Sequence, residues 1–367
     1  MNLANATATK EMNLANVTEH KEMNLANAKG AKEMNLAVLG AGAVAKTFME
    51  LLASDDSNFM DNGINIKVKY IFNSKGGIFD ENGIEPKLFS REYDISSHEL
   101  YKNGLSIEDI DKKKIDLLVD LKSTNLAKAV EDFNTCMDFL AEGIHVVCGN
   151  KAPAVYGYKK LTEQAKAHNV SFACGCAACA ALPSIIVGQH GHAGSKISSF
   201  QGIVNGTTNY ILSKMEGGMP YEDALNCAKD EGIAEKDPSY DVSGLDTTIK
   251  TVMLANILWG GELKVEDAQM EGIDKLTLTD MEEAAAQGKK IKLIGTASIG
   301  ENGEISVKVG PTAVSNGHLL YATDQKYKAI VFNSNNLGSV LISGSSSLKG
   351  AASAILRDIV NIASGLK

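Results

Sequence analysis

The chain lacks any apolar stretch long enough to cross a bilayer; its longest apolar run, residues 176–188, is short and interrupted by Pro183. The N-terminus has no apolar core of the kind that marks a secretory leader. Basic clusters with interleaved aromatics are also missing, and the net charge is −9. Such a surface offers a polyanion little to grip, which argues against nucleic acid as a partner. Cysteine is scarce, at six residues. Without a leader, those thiols are expected to be reduced rather than bridged. Together these absences point to a cytoplasmic protein with neither a membrane nor a nucleic-acid partner.

With 367 residues, 44% of them hydrophobic, there is material for two domains. The first residues are repetitive: the Met-Asn-Leu-Ala-Asn of residues 1–5 recurs at 12–16 and 23–27, and in part at 34–37. An eleven-residue period can underlie a right-handed supercoil, but each copy has little beyond one Met and one Leu to bury. Residues 1–34 therefore read as a duplicated start and a disordered extension, with Met34 as the effective beginning.

Residues 36–39 form a short, wholly apolar run suited to a parallel strand buried on both faces. Gly40, Ala41, Gly42, Ala43, Val44 and Ala45 follow, a G-x-G-x-x-A run between strand and helix. Gly40 permits the tight turn, Gly42 lets a pyrophosphate approach the backbone, and the small Ala45 lets helix and strand pack closely. Ala43 and Val44 open the helix, whose free N–H groups and positive dipole end suit phosphate. The next strand, residues 68–72, ends at Asn73 with Lys75 beyond it. No carboxylate stands there to hold a ribose 2′-hydroxyl or to repel a 2′-phosphate, so NADP is weakly favoured over NAD. Residues 115–120 read as a further strand followed by Ser123 and Thr124, and residues 145–148 as another, followed by Asn150 and Lys151. Strand ends of a doubly wound sheet are where ligands bind, so Lys151 is placed to meet a cofactor or a reacting oxygen.

Further on, residues 198–204 read as a strand leading to Asn205, Gly206, Thr207 and Thr208, oxygen-bearing residues at a helix start. Residues 232–250 are the most informative. An acid-rich loop carrying Gly232, Glu235, Asp237 and Pro238 runs into an apolar helix on which Asp246 precedes Lys250 by four positions. Residues four apart share a helix face, so a carboxylate and an amine converge on one spot.

The run from Gly232 through Glu235, Asp237, Pro238 and Asp246 to Lys250 resembles the homoserine dehydrogenase signature without a gap. Residues 201–212 resemble that family's second signature, and the likeness extends from Asn35 to the C-terminus. It implies the short form of the family, without a C-terminal regulatory domain. The implied fold is α/β: a Rossmann-type doubly wound parallel sheet over residues 35–152, then a mixed α/β substrate-binding and dimerisation domain over 153–335. Residues 336–367 would return towards the nucleotide domain. The implied activity is the reversible NAD(P)-dependent reduction of L-aspartate 4-semialdehyde to L-homoserine, by a homodimer acting on a small amino-acid substrate. Lys250 and Lys151 would be catalytic. Glu235, Asp246, Gly232 and Thr207 would bind substrate. Gly40, Gly42, Ala43, Val44, Ala45, Asn73, Lys75, Ser123, Thr124, Lys151 and Gly344 would line the cofactor. A related dehydrogenase with another small substrate, or an inactive nucleotide-binding homologue, stays open.

Three departures qualify the resemblance. Lys122 stands where the family has the first residue of a Thr-Ser pair. Relatives carry a Glu in the turn before Pro183, associated with a monovalent cation; here that turn holds Cys174, Cys176 and Cys179 and no acid, so no metal is expected. Three thiols without a fourth ligand do not make a zinc site either. Lastly, Ser345, Ser346 and Ser347 follow Gly344 where relatives have a Gly-rich turn, and serines tolerate positive φ poorly.

Overall fold

Strand β1 (Lys32–Leu39) is buried along residues 36–39, as its unbroken apolar sequence requires. The structure is a computed structural model and describes residues 32–54, 63–345 and 347–366. Around β1 lies a seven-stranded sheet in the order β4-β3-β2-β1-β5-β6-β7. Its members are β2 (Ile64–Phe72), β3 (Gly76–Phe79), β4 (Tyr101–Asn103), β5 (Leu117–Asp120), β6 (His145–Cys148) and β7 (Phe172–Ala173). Strands β2, β1, β5, β6 and β7 run parallel, whereas β3 and β4 extend one edge antiparallel. This is the Rossmann-like parallel arrangement expected of the first part of the chain. Strand order reverses between β1 and β5, and the crevice above such a switch point is where ligands bind.

Strand β1 begins earlier than its apolar run suggested. The extension expected over residues 1–34 lies outside the described residues as far as residue 31. Lys32, Glu33 and Met34, however, pair with Ile64, Asn65 and Ile66 of β2. Met34 is only 2% exposed, so its side chain belongs to the core and not to an extension.

The second sheet has six strands in the order β13-β12-β8-β10-β11-β9. They are β8 (Ile197–Ile203), β9 (Gln269–Met270), β10 (Lys289–Ile299), β11 (Ile305–Ser315), β12 (Lys328–Ser334) and β13 (Gly338–Gly344). All pairings are antiparallel except β9 with β11. Sequence reading sent residues 336–367 back to the nucleotide half as one segment, but β13 stays here. It closes a hairpin on β12, which satisfies the backbone groups of both strands. Only the helix Leu348–Ala363 returns. Its Ile355, Ile359 and Ile362 join Leu36, Val38, Phe48 and Val68 in the core of the first sheet.

The helix Leu245–Trp259 joins the two halves. Residues 246–257 are all buried, Asp246, Lys250 and Asn256 included. Met253 and Ile257 pack into the core beneath β5 and β6, while Val252, Leu254 and Ala255 pack against Phe200, Ile330 and Phe332 of the second sheet. Asp246 and Lys250 are carried in its first turns, between the two sheets.

Candidate active site

Gly40 ends β1 with φ 101°, a left-handed value at which a side chain is strained. A Cβ there would lie 2.7 Å from the Leu121 carbonyl oxygen, so the turn packs directly on the end of β5. Gly42 caps the helix Ala43–Ala53 without any side-chain bond, and a Cβ on it would meet nothing within 4 Å. Open space in front of an uncapped helix start, with free backbone donors in its first turn, fits a diphosphate. Asn73 does not point away free: its Oδ1 accepts from the backbone of Lys75 and Gly76 and from the Tyr101 hydroxyl. Lys75 is left exposed at this end of β2. Lys46, nearby in the first helix, donates to the Arg91 carbonyl at 3.1 Å.

Beyond β5, Lys122 turns inward to Asp132 and Asp120. Asn150 donates to the same two carboxylates, at 3.2 Å to Asp120 and 2.7 Å to Asp132. Burial pushes Asp120 up to about 6 against the pull of the Lys122 ammonium. The Asp120 carboxylate and the thiols of Cys136 and Cys148 cluster closely enough to share a cation, but the Lys122 ammonium already lies 3.9 Å from that carboxylate. Ser123 is exposed, and Thr124 accepts from the Lys151 backbone at 3.1 Å, which ties the two strand ends together.

Asp246 is the centre of the site. Its Oδ2 accepts from Lys250 Nζ at 2.6 Å and from Asn205 Nδ2 at 2.8 Å, while Lys151 Nζ lies 3.5 Å from Oδ1. Lys250 also donates to the Val204 carbonyl at 3.1 Å. Asn205 caps the helix Gly206–Glu216 through Thr208 N–H and donates to Asp241 at 2.6 Å. The capping role and the link to Asp246 therefore coexist in one side chain. Burial alone would push the Asp246 carboxyl up, but the neighbouring Lys250 and Lys151 ammoniums hold it well below the usual carboxylate range. For the Lys250 amine, burial pulls downwards and the Asp246 carboxylate pulls upwards; the carboxylate wins and holds the amine above its ordinary value. Lys250 is thus held in its charged form.

Not every expected site residue converges here. Thr207 bonds to the Ile233 carbonyl at 3.2 Å and so anchors the Gly232–Glu235 loop rather than Asp246. Gly232 and Glu235 are exposed, and the Glu235 carboxylate has no bonding partner among the described residues. Gly344 is half-buried beside Leu182. Ser346 lies outside the described residues, Ser345 does not have positive φ, and Ser347 caps the closing helix by accepting from Gly350 N–H at 3.0 Å. The Ser-rich turn avoids the backbone strain anticipated for it at these two described serines.

Two features escaped sequence reading. Lys328, at the start of β12, is 5% exposed and shares the electrostatic environment of Asp246, Lys250 and Lys151. A lysine opening an otherwise apolar strand was the available signal. Tyr240, in the short helix Ser239–Val242, has a buried hydroxyl without a partner, and Lys151 Nζ sits 5.9 Å above its ring.

In the cysteine-bearing turn the thiols of Cys174, Cys176 and Cys179 are all raised by burial, Cys176 to about 11, so the free groups stay protonated at neutral pH. The Asp358 carboxylate from the closing helix accepts from Gly175 N–H at 2.8 Å, and Arg357 Nη1 donates to the Ala181 carbonyl at 3.1 Å. A guanidinium, not an open donor set, faces this turn. A cavity of about 1650 Å³ is lined by Tyr158, His192, Trp259 and Arg357, among others, and Lys250 is not part of its lining. The perturbed ionisations gather instead at Asp246, Lys250 and Lys328.

A family model described as homoserine dehydrogenase matches residues 183–360, and one described as homoserine dehydrogenase, NAD binding domain, matches residues 40–174. The chain is 31% identical over 334 residues to an NAD(+)-dependent homoserine dehydrogenase of Pseudomonas canavaninivorans, covering 89% of this chain and 95% of that one. Among solved structures it is similar to a homoserine dehydrogenase from Thiobacillus denitrificans, with TM-score 0.78, 28% identity, and coverage of 91% of this chain and 74% of that one. It is also similar to a hyperthermophilic archaeal homoserine dehydrogenase mutant in complex with NADPH, with TM-score 0.77, 26% identity, and coverage of 92% and 99% respectively.

Proposed function

The chain belongs to the homoserine dehydrogenase family of NAD(P)-dependent oxidoreductases, and from that premise we propose that it interconverts L-aspartate 4-semialdehyde and L-homoserine using Lys250 as the proton donor. The observation that carries this reading is the buried, charged Lys250 amine held 2.6 Å from Asp246 at the junction of the two sheets. The bound nicotinamide supplies the hydride, or takes it up in the reverse direction. The aldehyde oxygen gains negative charge as reduction proceeds, and a positioned ammonium both stabilises that charge and delivers the proton. Asp246 keeps the amine protonated until the oxygen demands the proton. Lys151, 3.5 Å from the other oxygen of the same carboxylate, orients the reacting group and is the second proton-transfer residue. Glu235, a carboxylate without a partner, takes the substrate ammonium by a charge-assisted bond. Asp246 shares in this contact, with Gly232 and Thr207 shaping the loop around it.

Gly40, Gly42, Ala43, Val44 and Ala45 hold the diphosphate, with Ser123, Thr124 and Gly344 completing the cofactor groove. The exposed Lys75 favours a 2′-phosphate and so NADP over NAD. The turn before Pro183 has no carboxylate to hold a monovalent cation, and Arg357 presents positive charge to its Ala181 carbonyl. The active form is a cytoplasmic homodimer; no described helix is long and apolar enough to cross a membrane, and the six cysteines are unpaired. Initial rates with L-homoserine and each oxidised nicotinamide cofactor test the whole reading. Absence of turnover with both would overturn it.

A further inference from the structure

Three amines gather around Asp246, and only two of them are paired with it. Lys250 and Lys151 both reach the carboxylate. Lys328 is buried as deeply as Lys250, yet its ammonium makes no hydrogen bond or ion pair among the described residues. A buried ammonium without a counterion is costly and calls for an anion that is not part of the protein. Its position is well fixed. Lys328 opens β12 opposite Gly344, Ser343 Oγ donates to its carbonyl at 3.2 Å, and Asn209 Nδ2 holds the preceding Tyr327 carbonyl at 3.0 Å. Those bonds anchor the residue to the helix that begins at Asn205, and hence to the Asp246 cluster.

Building on the reading above, we infer that Lys328 is the carboxylate-recognition residue of the site, pairing with the α-carboxylate of the amino-acid substrate. A substrate that is both ammonium and carboxylate needs one unpartnered acid and one unpartnered base on the protein. Glu235 is the former and Lys328 the latter. Lys250 and Lys151 serve less well, because both already hold the Asp246 carboxylate. The groups facing Lys328 are Lys250 and Asp246 from the central helix, Lys151 from the β6 end, and Cys176 and Cys179 from the cysteine turn. Burial, reinforced by the Lys250 ammonium, lowers the Lys328 amine to about 8. Carboxylate binding should therefore weaken as pH rises through that value, since the free amine loses its proton there.

The test uses the full chain with saturating cofactor and two oxidisable alcohols, L-homoserine and 3-aminopropan-1-ol, the second lacking only the carboxylate. Lys328→Met should lower kcat/KM for homoserine about 10- to 100-fold, the scale of a lost charge-assisted bond. For 3-aminopropan-1-ol the ratio of variant to wild type should stay within about twofold. Lys328→Arg should recover part of the homoserine loss. Equal losses on both alcohols would mark Lys328 as merely structural and overturn the inference. A second readout needs no turnover: calorimetric affinity of the wild-type protein for the unreactive L-2-aminobutyrate should fall between pH 7 and 9, and Lys328→Met should bind it about tenfold more weakly at pH 7. A pH-independent affinity overturns the inference even if the methionine variant does not fold. If homoserine itself is not oxidised, the proposed reaction fails, while the 2-aminobutyrate measurement still decides the role of Lys328.

Discussion

Lys250 Nζ donates to Asp246 Oδ2 at 2.6 Å across one helical turn, and both side chains are buried between the two sheets. The pair is held by more than each other, because Asn205 donates to the same carboxylate oxygen and the Val204 carbonyl accepts from the amine. Replacing Lys250 by Met should reduce kcat about 100- to 10,000-fold, the usual worth of a positioned proton donor. Cofactor affinity, read by nucleotide fluorescence quenching, should stay within a few-fold of wild type. Asp246 keeps Asn205 and Lys151 as partners, so the variant should fold. Near-normal turnover would remove Lys250 from the mechanism.

Glu235 stands exposed and unpaired at the loop tip, so its loss leaves no buried group orphaned. Glu235→Ala should raise KM for homoserine about tenfold or more, while thermal stability changes little. Steady-state kinetics beside a melting curve check both halves of the expectation. An unchanged KM would mean that the substrate ammonium is held elsewhere.

Lys75 is the exposed cation at the end of β2, where Asn73 is occupied in bracing its own turn. Lys75→Glu should shift the ratio of kcat/KM for NADP over NAD downwards by about tenfold, since a carboxylate repels the 2′-phosphate and can hold the 2′-hydroxyl. A ratio unmoved by this reversal of charge would place the 2′-position out of reach of residue 75.

Ala180 has φ 55° and ψ −117°, a conformation that suits glycine. Strain of this kind costs on the order of 1–3 kcal/mol. Ala180→Gly should therefore stabilise the protein by about 1 kcal/mol, after the greater unfolded-chain entropy of glycine is set against the relief. Denaturant titration with an unchanged slope would measure it; a destabilised variant would show that the turn is not strained.

Asp358 is pushed up to about 6 by burial, against the opposing pull of Arg357 and the Gly175 N–H. In the unfolded chain the same group titrates at its ordinary value of 3.8. Between these values the unfolded chain is ionised while the folded protein keeps its proton. The unfolded state then binds fewer protons, and this group makes stability fall as pH rises through the window. Asp358→Asn should flatten the decline between about pH 4 and 6 by on the order of 2 kcal/mol, without abolishing it, because Asp120 is raised in the same way. Urea denaturation at either end of the window gives the comparison, and an unaltered slope would assign the proton uptake to other groups.

Much of the site was legible along the chain because its parts are local. The Gly40–Ala45 turn, the i,i+4 spacing of Asp246 and Lys250, and the Asn205 cap each depend on neighbours within a few residues, and backbone geometry forces them. The charge balance was not legible. Whether Lys250 is raised or lowered depends on how burial competes with Asp246, and that competition is settled by the packing of the central helix. Lys328 was invisible for a related reason: it is 78 positions from Lys250 in the chain, and only the β12–β8 pairing brings it to the same chamber.

Turn residues and short-range spacing were enough to determine the strand–turn–helix unit at Gly40–Ala45 and the acid–amine couple, because each is a consequence of local backbone sterics, while the two-layer α/β architecture was read from a family resemblance. The tertiary structure alone decided that β13 remains with the second sheet, that Arg357 and Asp358 reach back to the cysteine turn, and that a third amine shares the Asp246 chamber without a counterion. Those outcomes depend on long-range burial, in which desolvation and Coulomb attraction compete, and no local rule fixes the winner.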